Sequence, residues 1–110
     1  MLAVPGGPPQ NMTADAISST QILLLWKSPP SDVQNGRIHS YAIFVLEIQT
    51  NTTLTYEVNT SLTYEVNIGG RLQVGSLHPY FEYECSVAAV TIGPGPYTSP
   101  LSVETFEDSE

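Results

Sequence analysis

Two stretches constrain the fold more than anything else in the chain: Ile22-Leu23-Leu24-Leu25-Trp26, and Leu77-His78-Pro79-Tyr80-Phe81-Glu82-Tyr83-Glu84-Cys85. A tyrosine two residues before an inward-facing strand position, entered through a Leu-x-Pro corner, pins one crossing between the sheets of a β-sandwich. Its phenol reaches back to a backbone group near the corner and fixes the angle at which the strand leaves. Where a sandwich is stapled by an inter-sheet disulfide, a tryptophan packs on the bridge. Cys85 is the only cysteine here, so Trp26 has to be buried without one. Side chains alternate across a strand, so Ile22, Leu24 and Trp26 share one face.

The composition favours strands and turns. Nine Pro and eight Gly accompany abundant Thr, Ser and Val, with few Ala, Lys or Glu at helical spacing. No segment carries the 3.6-residue period of an amphipathic helix. A chain of 110 residues suits one domain and buries roughly 60–70% of its unfolded surface, enough for a core without metal or disulfide. Three basic residues, Lys27, Arg37 and Arg71, face eleven acidic ones for a net charge of −8. Phosphate backbones are bound through basic footprints, which excludes nucleic acid as a partner. Sulfated glycans and anionic lipid surfaces are disfavoured for the same reason. The longest apolar run, residues 42–46, is far too short to span a bilayer. Met1-Leu2-Ala3-Val4 lacks the charged start and long apolar run of a signal peptide. It reads as a start placed on a domain cut from a longer protein.

Along the chain, Pro5-Gly6-Gly7-Pro8-Pro9 reads as a linker that continues neither helix nor central strand. Residues 1–9 therefore precede a domain expected over residues 10–106, and residues 107–110 form an acidic exit. Strand A is expected over 10–17 and strand B over 20–27, stopped by Pro29-Pro30. Asn35-Gly36 supplies a turn where positive φ is tolerated. Strand C follows over 37–48 with Ile38, Tyr41, Ile43 and Val45 inward. Strand E holds Leu72 and Val74, and strand F turns Phe81, Tyr83, Cys85, Val87 and Ala89 inward. Gly93-Pro94-Gly95-Pro96 reads as the F–G loop, and strand G runs over 99–105 with Leu101 and Val103 inward.

Trp26 with Pro29-Pro30, Asn35-Gly36-x-Ile38-x-x-Tyr41, Leu77-x-Pro79-x-x-x-Tyr83, Val87-x-Ala89 and Gly93-x-Gly95 with Ser99 occur in that order. Together they resemble the fibronectin type III family over residues 5–105. The B–C region is similar to modules of neuronal adhesion and guidance receptors and receptor tyrosine phosphatases. The resemblance implies an all-β, seven-stranded immunoglobulin-like sandwich, A-B-E against C′-C-F-G, with Trp26, Tyr41, Leu77, Pro79 and Tyr83 defining the fold. It implies a non-catalytic module that binds proteins or spaces neighbouring domains in a cell-surface receptor or adhesion protein. The parent is then membrane-anchored, with the domain on the extracellular side, or secreted. The domain itself is expected to be monomeric, off the membrane and without a cofactor. Two other readings stand beside it: a passive spacer in a tandem array, and an intracellular type III module with no binding role. The F–G run lacks the integrin-binding Arg-Gly-Asp of some family members, and the Trp-Ser-x-Trp-Ser box of class I cytokine receptors is absent.

One region departs from the family pattern. Leu54-Thr-Tyr-Glu-Val-Asn59 recurs as Leu62-Thr-Tyr-Glu-Val-Asn67, which lengthens the stretch between strands C and E and enlarges the C′ region. Alternation puts Leu, Tyr and Val of each copy on one face. A turn over residues 59–61 would set Val58 opposite Leu62, Tyr56 opposite Tyr64 and Leu54 opposite Val66, the register that makes one apolar side. Two readings stand: an enlarged C′ hairpin joined to strand E through Gly69-Gly70, or a long loop.

Candidate sites follow from exposure and spacing. Asn11-Met-Thr13, Asn51-Thr-Thr53 and Asn59-Thr-Ser61 are acceptor sequons for N-linked glycan, and they argue against an intracellular module. With Tyr41, Ile43 and Val45 inward, strand C points Ala42, Phe44, Leu46 and Ile48 outward. A sheet face open to water should carry polar residues there, so something covers this one: the chain's own hairpin, a neighbouring domain or a protein partner. Phe44, Leu46 and Ile48, with Tyr97 of the F–G loop, are the candidate partner surface. Leu23 and Leu25 raise the same question on the other sheet. His39, His78 and Cys85 lack the close spacing of a zinc site. No base stands near Cys85 to make it a nucleophile. Glu82 and Glu84 share an outward face of strand F and are expected to meet solvent. No catalytic, cofactor or metal site is expected.

Overall fold

Apolar and polar side chains alternate along much of the chain, and the computed structural model turns that alternation into two antiparallel sheets. It describes residues 3–59 and 70–107. One sheet holds β1 (Gln10–Ala16), β2 (Ile22–Lys27) and β5 (Gly70–Val74), in the order β1-β2-β5. The other places β3 (Ser40–Glu47) between β4 (Thr52–Asn59) and β6 (Glu82–Val90). Beyond β6 lie β7 (Pro94–Tyr97) and β8 (Leu101–Glu104), both paired with it. This is the A-B-E against C′-C-F-G sandwich, with its seventh strand broken in two. Pro100, between the halves, has no N–H with which to continue the ladder.

Several boundaries differ from the sequence-based expectation. Residues 94–97 belong to β7 rather than to a loop, with Val90 opposite Pro94 and Ala88 opposite Tyr97 across an irregular register. The turn shrinks to residues 91–93, where the Thr91 N–H donates to the Gly93 carbonyl at 3.2 Å. Both prolines sit at exposed positions of an edge strand, where missing donors cost little. Strand β3 starts at Ser40 because a 3₁₀ turn, Ser31–Val33, and the positive φ of Asn35 (58°) and Gly36 (143°) occupy its approach. Strand β2 starts at Ile22 because the N–H groups of Ile17 and Ser18 both close a turn on the Gln21 carbonyl.

The inner faces make one dry layer. Ile22, Leu24, Trp26 and Val74 from the first sheet meet Tyr41, Ile43, Val45, Tyr83, Cys85, Val87 and Ala89 from the second, all buried. Burying each large side chain stabilises by about 1.5–3 kcal/mol before the cost of ordering the chain. Trp26 meets Tyr41 edge-on, ring centroids 5.4 Å apart at 63°. Gly70 lies opposite Trp26 in the β2–β5 ladder, and a Cβ there would sit 2.3 Å from Cζ2 of the indole. Gly70, expected to join the hairpin to strand E, is therefore the first residue of that strand, and a glycine is required there because the indole packs against its backbone.

The first copy of the repeat is β4, paired with β3 along its whole length. Leu54 lies opposite Val45, Tyr56 opposite Ile43 and Val58 opposite Tyr41, and all three pack against the core. The expected turn residues Thr60 and Ser61, the second copy over 62–67, the Tyr56–Tyr64 contact and Gly69 lie outside the described residues.

The segment before β1 is tied to one end of the sandwich. Pro5 is fully buried, and the Gly6 N–H donates to the Val33 carbonyl at 2.6 Å. The Asn35 side-chain amide donates to the Val4 carbonyl at 3.1 Å, and the Thr91 hydroxyl donates to the Ala3 carbonyl at 2.6 Å. Gly95 allows this docking: a Cβ there would stand 2.6 Å from the Pro5 carbonyl oxygen.

Candidate functional site

Positions 42, 44 and 46 of β3 turn away from the core, and their neighbours are set by register. Leu46 lies between Thr53 of β4 and Glu84 of β6, and Phe44 between Thr55 and Ser86. Phe44 is 40% exposed. Its ring stacks on Tyr97 with centroids 4.8 Å apart and planes at 13°, an offset aromatic pair on the outside of the sheet. Beside this pair runs a groove of about 360 Å³ lined by Phe44, Leu46, Thr53, Glu84, Ser86 and Pro100. Ile48 lies just past the end of β3, exposed, with its N–H on the Glu82 carbonyl at 3.1 Å.

Of the candidate partner residues, the structure brings Phe44 and Leu46 together in the groove. Tyr97 backs Phe44, and Ile48 lies outside. Thr53, Ser86 and Pro100 were not singled out in the sequence as partner-surface residues. The signal that finds two of them is the outward alternation of β4 and β6 laid against β3; Pro100 needs the break between β7 and β8. Glu84 differs from the expectation of a solvent-facing acid: it is half-buried at the groove wall. On the opposite sheet, Leu25 is exposed between Thr13 and Arg71, and Leu23 is half-buried between Asp15 and Gln73.

Asn11 and Asn51 sit at an irregularity and a turn, and Asn59 ends a strand. Asn11 is exposed with φ 53° at the register shift between Gln10 and Thr13 in β1. Asn51 is exposed with φ 55° in the turn before β4. Asn59 is the exposed last residue of β4, and Ser61, which completes its sequon, lies outside the described residues.

A second polar constellation lies at the E–F corner. Tyr83 is fully buried, and its hydroxyl accepts the His78 backbone N–H at 2.9 Å while donating to Oε2 of Glu47 at 2.8 Å. Glu47, on the last residue of β3, also accepts the Thr50 hydroxyl at 2.5 Å and lies 3.8 Å from Nε2 of His78. Thr105 closes the corner: its hydroxyl donates to the His78 carbonyl at 2.6 Å and accepts the Phe81 N–H at 3.0 Å. Leu77 is buried in the core, and Pro79 opens the turn in which Tyr80 takes φ 59°. Burial and then the neighbouring Glu47 push the Tyr83 phenol up to about 12, against the opposing His78 N–H.

The Thr50 hydroxyl above all, then Tyr83 and the nearby His78, hold Glu47 below its ordinary value of 4.5, against the opposing effect of burial. A carboxylate whose folded pKa lies below its unfolded one adds stability that is complete above the unfolded value. That stability is lost as pH falls through the folded value. Unfolding measured by urea at a series of pH values should therefore show stability falling on the acid side of 4.5, and Glu47→Gln should flatten that limb.

Among the described residues no group of three His, Cys, Asp or Glu side chains could hold a metal ion. Cys85 is buried, and burial pushes its thiol up to about 12, the state of an inert core sulfur. Among the described residues no helix is long and apolar enough to cross a membrane.

Comparison with known proteins agrees with this architecture. The family model described as "Fibronectin type III domain" matches residues 7–104. Tyrosine-protein phosphatase Lar of Drosophila melanogaster is 38% identical over 110 residues, covering 96% of this chain and 5% of that protein. Cell adhesion molecule Dscam2 of Drosophila melanogaster is 32% identical over 106 residues, covering 94% of this chain and 5% of that protein. The chain thus spans about a twentieth of the length of these relatives. Among solved structures, the FN5 domain of Drosophila Lar superposes with a TM-score of 0.71 at 28% identity, covering 96% of this chain and 100% of that one.

Proposed function

The chain belongs to the fibronectin type III family, and we propose that it acts as a non-catalytic protein-interaction module on the extracellular side of a multidomain receptor or adhesion protein. The observation that carries this reading is the outer face of the β4-β3-β6 sheet. A stacked Phe44–Tyr97 pair and the groove beside it sit where an unoccupied sheet would carry polar residues. Substituting Phe44→Glu together with Leu46→Glu tests it. The expected result is a melting temperature within about 4 °C of the parent chain, as for surface changes, with loss of the labelled chain's retention on intact cells. Unfolding of the variant would instead assign these side chains to structural burial.

A spacer role stands as the second reading, and a specific observation supports it. Exposed apolar side chains cluster at the two poles. Val4 and Ile92 lie where the chain enters, beside Gly93, and Ile17, Tyr80 and Phe106 lie where it leaves. The exit cluster is held by the Tyr80 N–H on the Phe106 carbonyl and the Phe106 N–H on the Ser18 carbonyl. Neighbouring domains joined through residues 1–9 and 107–110 would cover both poles and leave residues 10–106 as the module. The docked segment at Pro5 would then set the angle between domains.

The exposed positions of Asn11, Asn51 and Asn59 support N-linked glycosylation, and with it secretion. Enzymatic deglycosylation of the chain secreted from mammalian cells should lower its mass, and Asn11→Gln with Asn51→Gln should reduce that shift.

A further inference from the structure

We propose that the outer face of β4, β3, β6 and β8 docks a cationic protein segment that carries an aliphatic or aromatic anchor. This rests on the reading of that face as a partner surface and adds the chemistry of the partner. The groove supplies the anchor site, with Leu46, Phe44 and Pro100 offering apolar contact and Thr53 and Ser86 offering hydroxyls. Its volume, about 360 Å³, lies at the small end of ligand clefts. Lying open on a sheet face, it suits a side chain presented by another protein.

Charge selects which protein. Glu84 lines the groove, and Glu82, two residues earlier on β6, shares its outward face. Glu82 lies directly opposite Glu104 of β8. Like charges directly opposite each other across a ladder are unfavourable, and among the described residues no basic side chain relieves them. Its three basic side chains are Lys27 on β2, Arg71 on β5, and Arg37 in the loop before β3. None stands on the sheet that bears the groove. Among the described residues Glu82, Glu84 and Glu104 enter no ion pair. The face therefore presents an apolar cleft beside three uncompensated carboxylates on a chain of net charge −8. A partner that sets an apolar side chain in the cleft and Lys or Arg over the carboxylates removes the repulsion and gains directed association.

The test uses the isotopically labelled 110-residue chain and two synthetic peptides that share one Leu-Phe anchor and differ only in Lys or Glu flanks. The Lys peptide is expected to move the amide signals of Phe44, Leu46, Thr53, Glu84 and Ser86. It should bind about tenfold tighter than the Glu peptide, the sum of several exposed charge pairs each worth a few-fold, and the difference should shrink with added salt. Glu82→Gln with Glu84→Gln and Glu104→Gln should erase the preference without lowering the melting temperature. Phe44→Ser should weaken both peptides. Equal binding of both peptides at this face would overturn the charge proposal and leave the partner-face reading standing. Absence of shifts at these amides with either peptide, or shifts confined to another surface, would overturn both.

Discussion

Trp26→Ala is expected to lower stability by about 3–5 kcal/mol, the range for emptying a large aromatic site in a core. Gly70→Ala is expected to cost about 1–3 kcal/mol for a different reason: overpacking. The added methyl would stand 2.3 Å from Cζ2 and 2.5 Å from Cε2 of the indole, and a ring packed edge-on against Tyr41 has no free direction in which to retreat. The two costs share one cause, so they should not add. Once Trp26→Ala has emptied the site, the methyl added at position 70 no longer meets the indole atoms nearest to it, and Gly70→Ala should become neutral or mildly stabilising through its effect on the unfolded chain. Urea unfolding of the four proteins in this cycle checks it. Strict additivity of the two losses would mean that the indole does not rest on Gly70.

Tyr83→Phe is expected to cost about 2–3 kcal/mol, although it deletes a single oxygen. That oxygen holds two partners, the His78 N–H at 2.9 Å and the Glu47 carboxylate at 2.8 Å. Removing it leaves a buried carboxylate with one donor fewer and a backbone N–H without its acceptor, and the penalty falls on the groups left behind. With Gln at position 47 the neutral amide loses less, so Tyr83→Phe should then cost about 1 kcal/mol. The corner should also loosen, and hydrogen exchange at His78 and Phe81 should speed up. A loss unchanged by Glu47→Gln would show that the phenol acts only through the backbone bond.

Much of the architecture can be read along the chain because strand alternation is local. Ile22, Leu24 and Trp26, then Tyr41, Ile43 and Val45, then Tyr83, Cys85 and Val87, declare their inner faces two residues at a time. The outward direction of Phe44 and Leu46 follows from the same parity, as does the apolar side of β4. The strand limits were less legible. Pro94 and Pro96 read as loop residues, yet on an edge strand a missing N–H points to solvent and is tolerated.

The sequence by itself determined which side chains enter the core, that a tyrosine corner closes one end, and that the chain carries a large acidic excess. Only the tertiary structure decided that Gly70 lies beneath Trp26, that Gly95 admits Pro5, that Glu47 receives the Tyr83 phenol, and that Pro100 and Glu84 wall the groove with Leu46. Each of those pairs joins residues far apart in the chain. Their meeting depends on strand register and sheet order, which arise from the packing of the whole sandwich rather than from the alternation of any one strand.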